Sequence, residues 1–226
     1  MKYPVIPKTT LKFLKDLSKN NDRDWFAKNK PRYEEAHANM KLVREAIGNE
    51  MDKVDHVEKT KLHRIYRDVR FSKNKLPYKN NFGISISRAT KLLRGTYYIH
   101  LEPGNSMVGG GFWGPNPADL KLIRQNIAFD DKPLRKILKS AKFKKYFGEL
   151  EGNKVKTSPK GFDKEHPAID LLRHKQFYAF RSFTDKEVLD PKFIAEITKS
   201  LIAIRPFFNY MSEILTTDLN GVPLYE

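Results

Sequence analysis

Leu11, Leu14 and Leu17 recur at helical spacing behind Thr9 and Thr10. They predict a first helix with a threonine cap, stopped at Asn20-Asn21 because asparagine tolerates the left-handed conformation. Asp22 is placed to cap a short turn carrying Trp25 and Phe26. Pro31 suits the first turn of a long helix whose buried face is Tyr33, His37, Met40, Ile47, Met51 and Val54. The period then changes. Phe82, Ile84 and Ile86 alternate with Gly83, Ser85 and Ser87, and Tyr97, Ile99 and Leu101 alternate with Tyr98, His100 and Glu102. Both runs read as strands, and Pro103-Gly104-Asn105 reads as the turn into a hairpin partner over 106–113. Gly109-Gly110-Gly111 inside that partner means a bulge, a bend or close backbone approach.

Helical spacing returns after the glycines. Asn116-Pro117 with Asp119 has the makeup of a helix start, and Leu120, Ile123 and Ile127 supply its stripe. The next predicted helix buries Leu134, Ile137, Leu138 and Ala141. Its opposite face carries Lys132, Arg135, Lys136, Lys139, Lys142, Lys144 and Lys145 with no acid between them. Gly152-Asn153 suggests a hairpin turn, and Phe177, Ala179, Arg181 and Phe183 another strand. Asp190-Pro191 opens a last helix through Phe193, Ile197, Leu201 and Ile204, which Pro206 should kink or break. Strands and helices are segregated along the chain. The expected fold is α+β, a mostly antiparallel sheet packed with helices, in a single domain over 1–226.

Composition narrows the class. The 15 Phe and 10 Tyr argue for a packed globule, since disordered chains are poor in aromatics. No run approaches the ~18 apolar residues of a membrane span, so no membrane partner is expected. Met1 to Pro7 lacks the apolar stretch of a secretory signal, which places the expectation in the cytoplasm. The absence of Cys removes disulfides, thiolate nucleophiles and Cys-ligated metals. A net charge of +16, from 43 Lys+Arg against 27 Asp+Glu, attracts polyanions, although a solvated basic surface explains it as well.

The densest polar chemistry lies in 64–79, where six cations meet the one acid Asp68. Arginine forks match phosphate and carboxylate oxygens, and lysines add point charge. Arg67, Arg70, Lys73, Lys75 and Lys79 are the candidate anion ligands, with Tyr66 and Tyr78 as hydrogen-bond donors. If the segment begins as a strand, Arg64, Tyr66, Asp68 and Arg70 share a face, and Asp68 orients the arginines. The competing reading is a fold-stabilising network of Arg64, Asp68 and Arg70. On the strand at 97–101, His100 and Glu102 share a face with Tyr98. They and Asp68 are the catalytic candidates, and with His63 they make a metal site or an acid/base pair, though the spacing is too common to be specific and no metal is assigned. Tyr98 adds a donor to an anion on that face.

Other patterns carry less. The triple glycine lacks the strand-turn-helix context of a dinucleotide fingerprint, and Lys160-Gly161 lacks the upstream glycine of a P-loop. Trp25 and Trp113 fit a base or sugar platform but fit core packing better. Ser72 beside Lys73 and Lys75 is a nucleophile-and-base pair of a kind that cationic loops often hold. No pattern names a cofactor.

Four ordered blocks resemble a known family: Asn20 to Phe26, Arg64 to Lys79, Tyr97 to Pro103 with Gly109 to Trp113, and Pro159 to Phe162 with His166-Pro167 and Leu171-Leu172. The chain resembles the family catalogued as domain of unknown function 2461. The resemblance implies one domain and a shared polar site, and it carries no activity with it. The expected function is therefore a polar pocket for a phosphorylated or otherwise anionic small molecule or nucleotide, with catalysis open. The alternatives are a nucleic-acid-binding domain using the lysine face of 132–145 and a protein-interaction domain with an acidic partner. One concave cluster of charge favours the pocket, and a long basic stripe favours nucleic acid.

Overall fold

A computed structural model of the chain describes residues 3–218 and 220–224. In chain order these form α1 (Lys8–Lys19), α2 (Arg23–Lys28), α3 (Lys30–Asp52), β1 (Val57–Leu62), β2 (Phe82–Arg88), β3 (Thr96–Leu101), β4 (Ser106–Phe112), α4 (Pro117–Phe129), α5 (Lys132–Lys139), α6 (Ala141–Phe147), α7 (Ile169–Leu172), β5 (Phe177–Phe183), α8 (Asp185–Val188) and α9 (Phe193–Thr216). The strands make one antiparallel sheet in the order β1-β2-β3-β4-β5. The fold is α+β, as the segregated pattern indicates. No helix among the described residues is long and apolar enough to cross a membrane.

The chain divides into two compact units. The first takes the residues through Ile86, Tyr98–Val108 and Ser182–Lys199. Here α3 packs on α1 and β1, burying Phe13, Leu14 and Leu17 together with Met40, Ile47 and Met51. Asp22 caps α2 by accepting the Trp25 N–H at 2.8 Å, which turns Phe26 inward. In β3, Ile99 and Leu101 are buried while Tyr98 and His100 are only half-buried, so alternation separates an apolar face from a polar one.

The second unit takes Ser87–Tyr97, Gly109–Arg181 and the chain from Ser200 on. Its core gathers Tyr97, Phe177 and Ala179 with Leu201, Ile204, Phe207, Phe208 and Met211 of α9. The buried Arg88 donates to Ser212 Oγ at 3.3 Å, the Arg94 carbonyl at 3.2 Å and Asn209 Oδ1 at 2.5 Å. The three glycines of β4 meet close backbone: Cβ atoms there would run into the carbonyls of Ala179, Thr96 and Phe177. Asn116 caps α4 through the Asp119 N–H at 2.9 Å.

Several expectations from the pattern are corrected. Asn20 ends α1 at φ −130°, outside the left-handed region, and Pro7 holds the N-cap position while Thr10 is buried within the helix. Val54 lies beyond the end of α3. The lysine-rich segment is two helices, because Ser140 leaves helical geometry and caps α6 through the Phe143 N–H at 3.3 Å. Its Arg135 is paired with Asp131 and Asp170. Gly152-Asn153 does not turn a hairpin; Glu151 and Lys154 instead bridge to Tyr178 and His174. The last helix starts at Phe193 and runs through Pro206. Pro206 and Ile202 both stand on its exposed side, where water can satisfy the carbonyl that proline leaves without a donor.

Candidate functional site

The segment between β1 and β2 leaves the sheet and returns through a single antiparallel bridge, Tyr66 to Tyr78. Arg67 N–H donates to the Pro77 carbonyl at 2.9 Å and Lys79 N–H to the Ile65 carbonyl at 2.8 Å. The segment is thus a narrow two-legged excursion, and its arginines do not sit on a regular strand. Asn21 holds one leg from outside. Its side chain accepts the Tyr78 N–H and donates to the Tyr78 carbonyl, both at 3.0 Å. That carbonyl also receives Arg67 Nε at 2.8 Å. The Tyr78 ring is buried and stacked on Phe26 with centroids 4.0 Å apart, and Tyr66 joins the same aromatic group at 5.3 Å from Tyr78. Tyr78 therefore anchors the legs, while the Tyr66 ring stays partly exposed.

The tip beyond the legs has different neighbours. Arg70 forks onto Asp68, Nε to Oδ1 at 3.0 Å and Nη2 to Oδ2 at 2.7 Å, with both side chains largely in solvent. The Arg70 hydrogen bonds hold the Asp68 carboxyl below its usual range, and the charge of Arg64 adds to this. Lys75 Nζ donates to the Val69 carbonyl at 2.9 Å. Lys73 is exposed, and Phe71 is almost fully so. The ion pair foreseen around Asp68 is present, but it sits on an exposed tip.

The base of the excursion adjoins the polar side of the sheet. His63 Nε2 lies 3.1 Å from Ser85 Oγ on β2. The His63 ring is 6.2 Å from the Tyr98 ring, which is 6.2 Å from the His100 ring. The Tyr98 ring crosses over Gly83, which has no side chain to obstruct it. His100 Nε2 meets Glu102 Oε2 at 2.8 Å. A carboxylate only accepts, so Nε2 carries the proton and Nδ1 is left as the basic atom. Glu102 also receives Asn80 Nδ2 on Oε1 and Asn105 Nδ2 on Oε2 at 3.1 Å. Three donors from separate segments fix that carboxylate, and it in turn fixes the imidazole.

Charge concentrates at the base. Burial pushes the Lys79 ammonium below its ordinary range, and Arg64, Arg67 and Lys61 push it further. Burial likewise lowers the His63 imidazole, helped by Lys79 and Lys61. Burial raises the Tyr98 phenol, so it stays a neutral donor. Among the described residues, Lys61, Arg64, Arg67 and Lys79 form no ion pair within 4 Å. Three cations, Arg64, Arg67 and Lys61, thus act on Lys79, two of the group, Lys79 and Lys61, act on His63, and Asp68 acts on Arg64.

Of the residues singled out from the sequence, Lys79 falls near His63, and Arg67 lies at the base of the excursion against the Tyr78 carbonyl and near Lys79. Tyr98, His100 and Glu102 form one row on β3 and its end. Asp68, Arg70, Lys73 and Lys75 lie on the tip. The pattern did not single out Asn80, Ser85, Lys61 or Asn105. Ser85 was legible as the polar step of the Phe82–Ile86 alternation; Lys61 was hidden because Val57–Leu62 has almost no apolar residues to mark a strand. Among the described residues no three His, Asp or Glu side chains gather into a metal-holding group.

No curated protein and no solved structure shows significant similarity to this chain. A family described as conserved hypothetical protein (DUF2461) matches residues 9–210, which takes in the excursion, the His100–Glu102 pair and most of each compact unit, and the chain belongs to that family.

Proposed function

We propose that the polar side of β1–β3 binds a small phosphorylated or otherwise anionic molecule, a nucleotide included. The observation that carries this reading is the crowding of Lys61, Arg64 and Arg67 on a partly buried Lys79, with Lys61 and Lys79 acting on the neighbouring His63 and no ion pair of these four cations among the described residues to offset it. Like charges held together disfavour one another, and an anionic ligand relieves that cost. Arg67 and Lys79 supply charge-assisted bonds, Tyr98 and His63 orient the ligand, and His100 held by Glu102 moves a proton where the ligand is turned over. Arg70, Lys73 and Lys75 on the tip act as steering charges, with Asp68 holding Arg70 and Tyr66 and Tyr78 shaping the legs.

The test is an amide NMR titration of the full chain with a nucleoside monophosphate at physiological ionic strength. The expected result is saturable shifts at His63, Ser85, Tyr98 and His100 that a Lys61→Gln/Lys79→Gln variant weakens about tenfold, the scale of one charge-assisted bond. Unmoved amides at those positions would remove the reading.

A further inference from the structure

Lys139 ends α5, Lys144 lies on α6, and Lys154 stands at the bridge to His174. These lysines come from separate elements, yet they line one cleft of about 210 Å³ in the second unit, with Arg135 and His174. The break at Ser140 makes this possible, since one continuous helix would carry Lys139 and Lys144 along a single rod. None of the three lysines has an ion-pair partner among the described residues.

The walls are rigid where they need to be. Arg135 donates Nε to Asp131 Oδ2 at 2.6 Å, and its Nη1 and Nη2 to Asp170 at 3.0 and 2.7 Å. Asp170 is thereby neutralised, which leaves Glu149 as the other carboxylate on the wall. Four cations face two carboxylates, one of them already taken. His174 is 2% exposed, and its Nδ1–H donates to the Gln176 carbonyl at 3.1 Å, which fixes the ring at the back of the cleft. Burial first, and then the charge of Lys154, hold the imidazole neutral.

We propose that this cleft is a second anion site, taking a small multivalent oxyanion of the phosphate or diphosphate class. Lysines are mobile point charges on flexible stems, and three converging from different directions suit a compact polyvalent anion. Gly148–Leu150 also line the cleft, and a concave space of about 210 Å³ fits a small ion better than a polymer backbone tracking over a surface.

The experiment titrates the full chain with inorganic pyrophosphate at physiological ionic strength, following backbone amides by NMR. Saturable shifts are expected at Gly148, Leu150 and Lys154. A Lys139→Gln/Lys144→Gln/Lys154→Gln variant should weaken binding about tenfold or more at unchanged Tm, because all three side chains are exposed. Lys144→Gln and Lys154→Gln taken singly give the same reading should the triple variant fold poorly. The Lys61→Gln/Lys79→Gln variant should leave these shifts as they are, which separates this site from the face of β1–β3. Shifts that never saturate, or that persist unchanged in the lysine variants, would overturn the proposal, as would tighter binding of a duplex oligonucleotide lost with the same lysines.

Discussion

The Tyr98 hydroxyl occupies the space in which a side chain at Gly83 would begin: a Cβ there would stand 2.5 Å from the phenolic oxygen. The two residues face each other across neighbouring strands of the polar sheet face. Gly83→Ala should displace the ring and lower stability by about 1–3 kcal/mol, the usual cost of overpacking. Adding Tyr98→Ala should recover part of that loss, and a double-mutant cycle by chemical denaturation reads the coupling. Equal costs with and without the ring would mean that Gly83 answers to something else.

The buried His174 makes stability depend on pH. Its folded value is pushed down to about 4 from 6.5, by burial and then by Lys154, against smaller raising effects of Asp170 and the Gln176 and Glu151 backbone. The unfolded chain therefore binds more protons between these values. The contribution is fully present above pH 6.5, falls away as pH drops, and is gone below about 4. Its full size is on the order of 3 kcal/mol. Wild type should lose stability relative to His174→Phe as pH falls through that window, read from denaturation curves of both; stabilities that run parallel with pH would contradict the assignment.

Asn21 meets both backbone groups of Tyr78. In Asn21→Ala the Tyr78 N–H loses its partner while the carbonyl keeps Arg67 Nε. A cost of about 1–3 kcal/mol is expected for the buried orphan donor. Hydrogen exchange at Tyr78 and Lys79 should speed up while exchange in α3 does not.

Pro206 gives the Ile202 carbonyl no donor. Pro206→Ala should raise stability by about 1–3 kcal/mol, since interior proline costs up to ~3 kcal/mol in a helix. Calorimetry measures it, and a lowered Tm would show that the ring packs usefully where it lies.

Legibility followed burial. Strands with one buried face announced themselves through alternation at Phe82–Ile86 and Tyr97–Leu101, and so did the Leu11–Leu17 stripe. Val57–Leu62 did not, because it is stabilised from α3 while its own residues are Glu, Lys and Thr between Val and Leu. The helix break at Ser140 was hidden because the apolar period continues across it; only the serine's capping role marks it. His100 and Glu102 were readable as a pair on one strand face. Their third and fourth partners, Asn80 and Asn105, were not, since hydrogen bonds from loops leave no period in the chain. The excursion at 64–79 was conspicuous by charge, yet charge density could not tell its base from its tip.

Neighbouring strands β1 to β4 follow one another in sequence, but β5 joins β4 only after residues 113–176 have intervened. The chain entropy of closing a loop must be met before such a pairing returns anything. The meander can zip by local steps, whereas the β4–β5 ladder waits on the ends of a long helical insert meeting. Gly109 and Gly111 lie on that late ladder, where bare backbone lets Phe177–Ala179 of β5 approach without a side chain to clear, while Gly110 gives the same room to Thr96 on β3. In kinetic terms, substitutions along β5 should act mainly on how fast the chain folds if the ladder closes at the barrier, and mainly on how fast it unfolds if it closes afterwards.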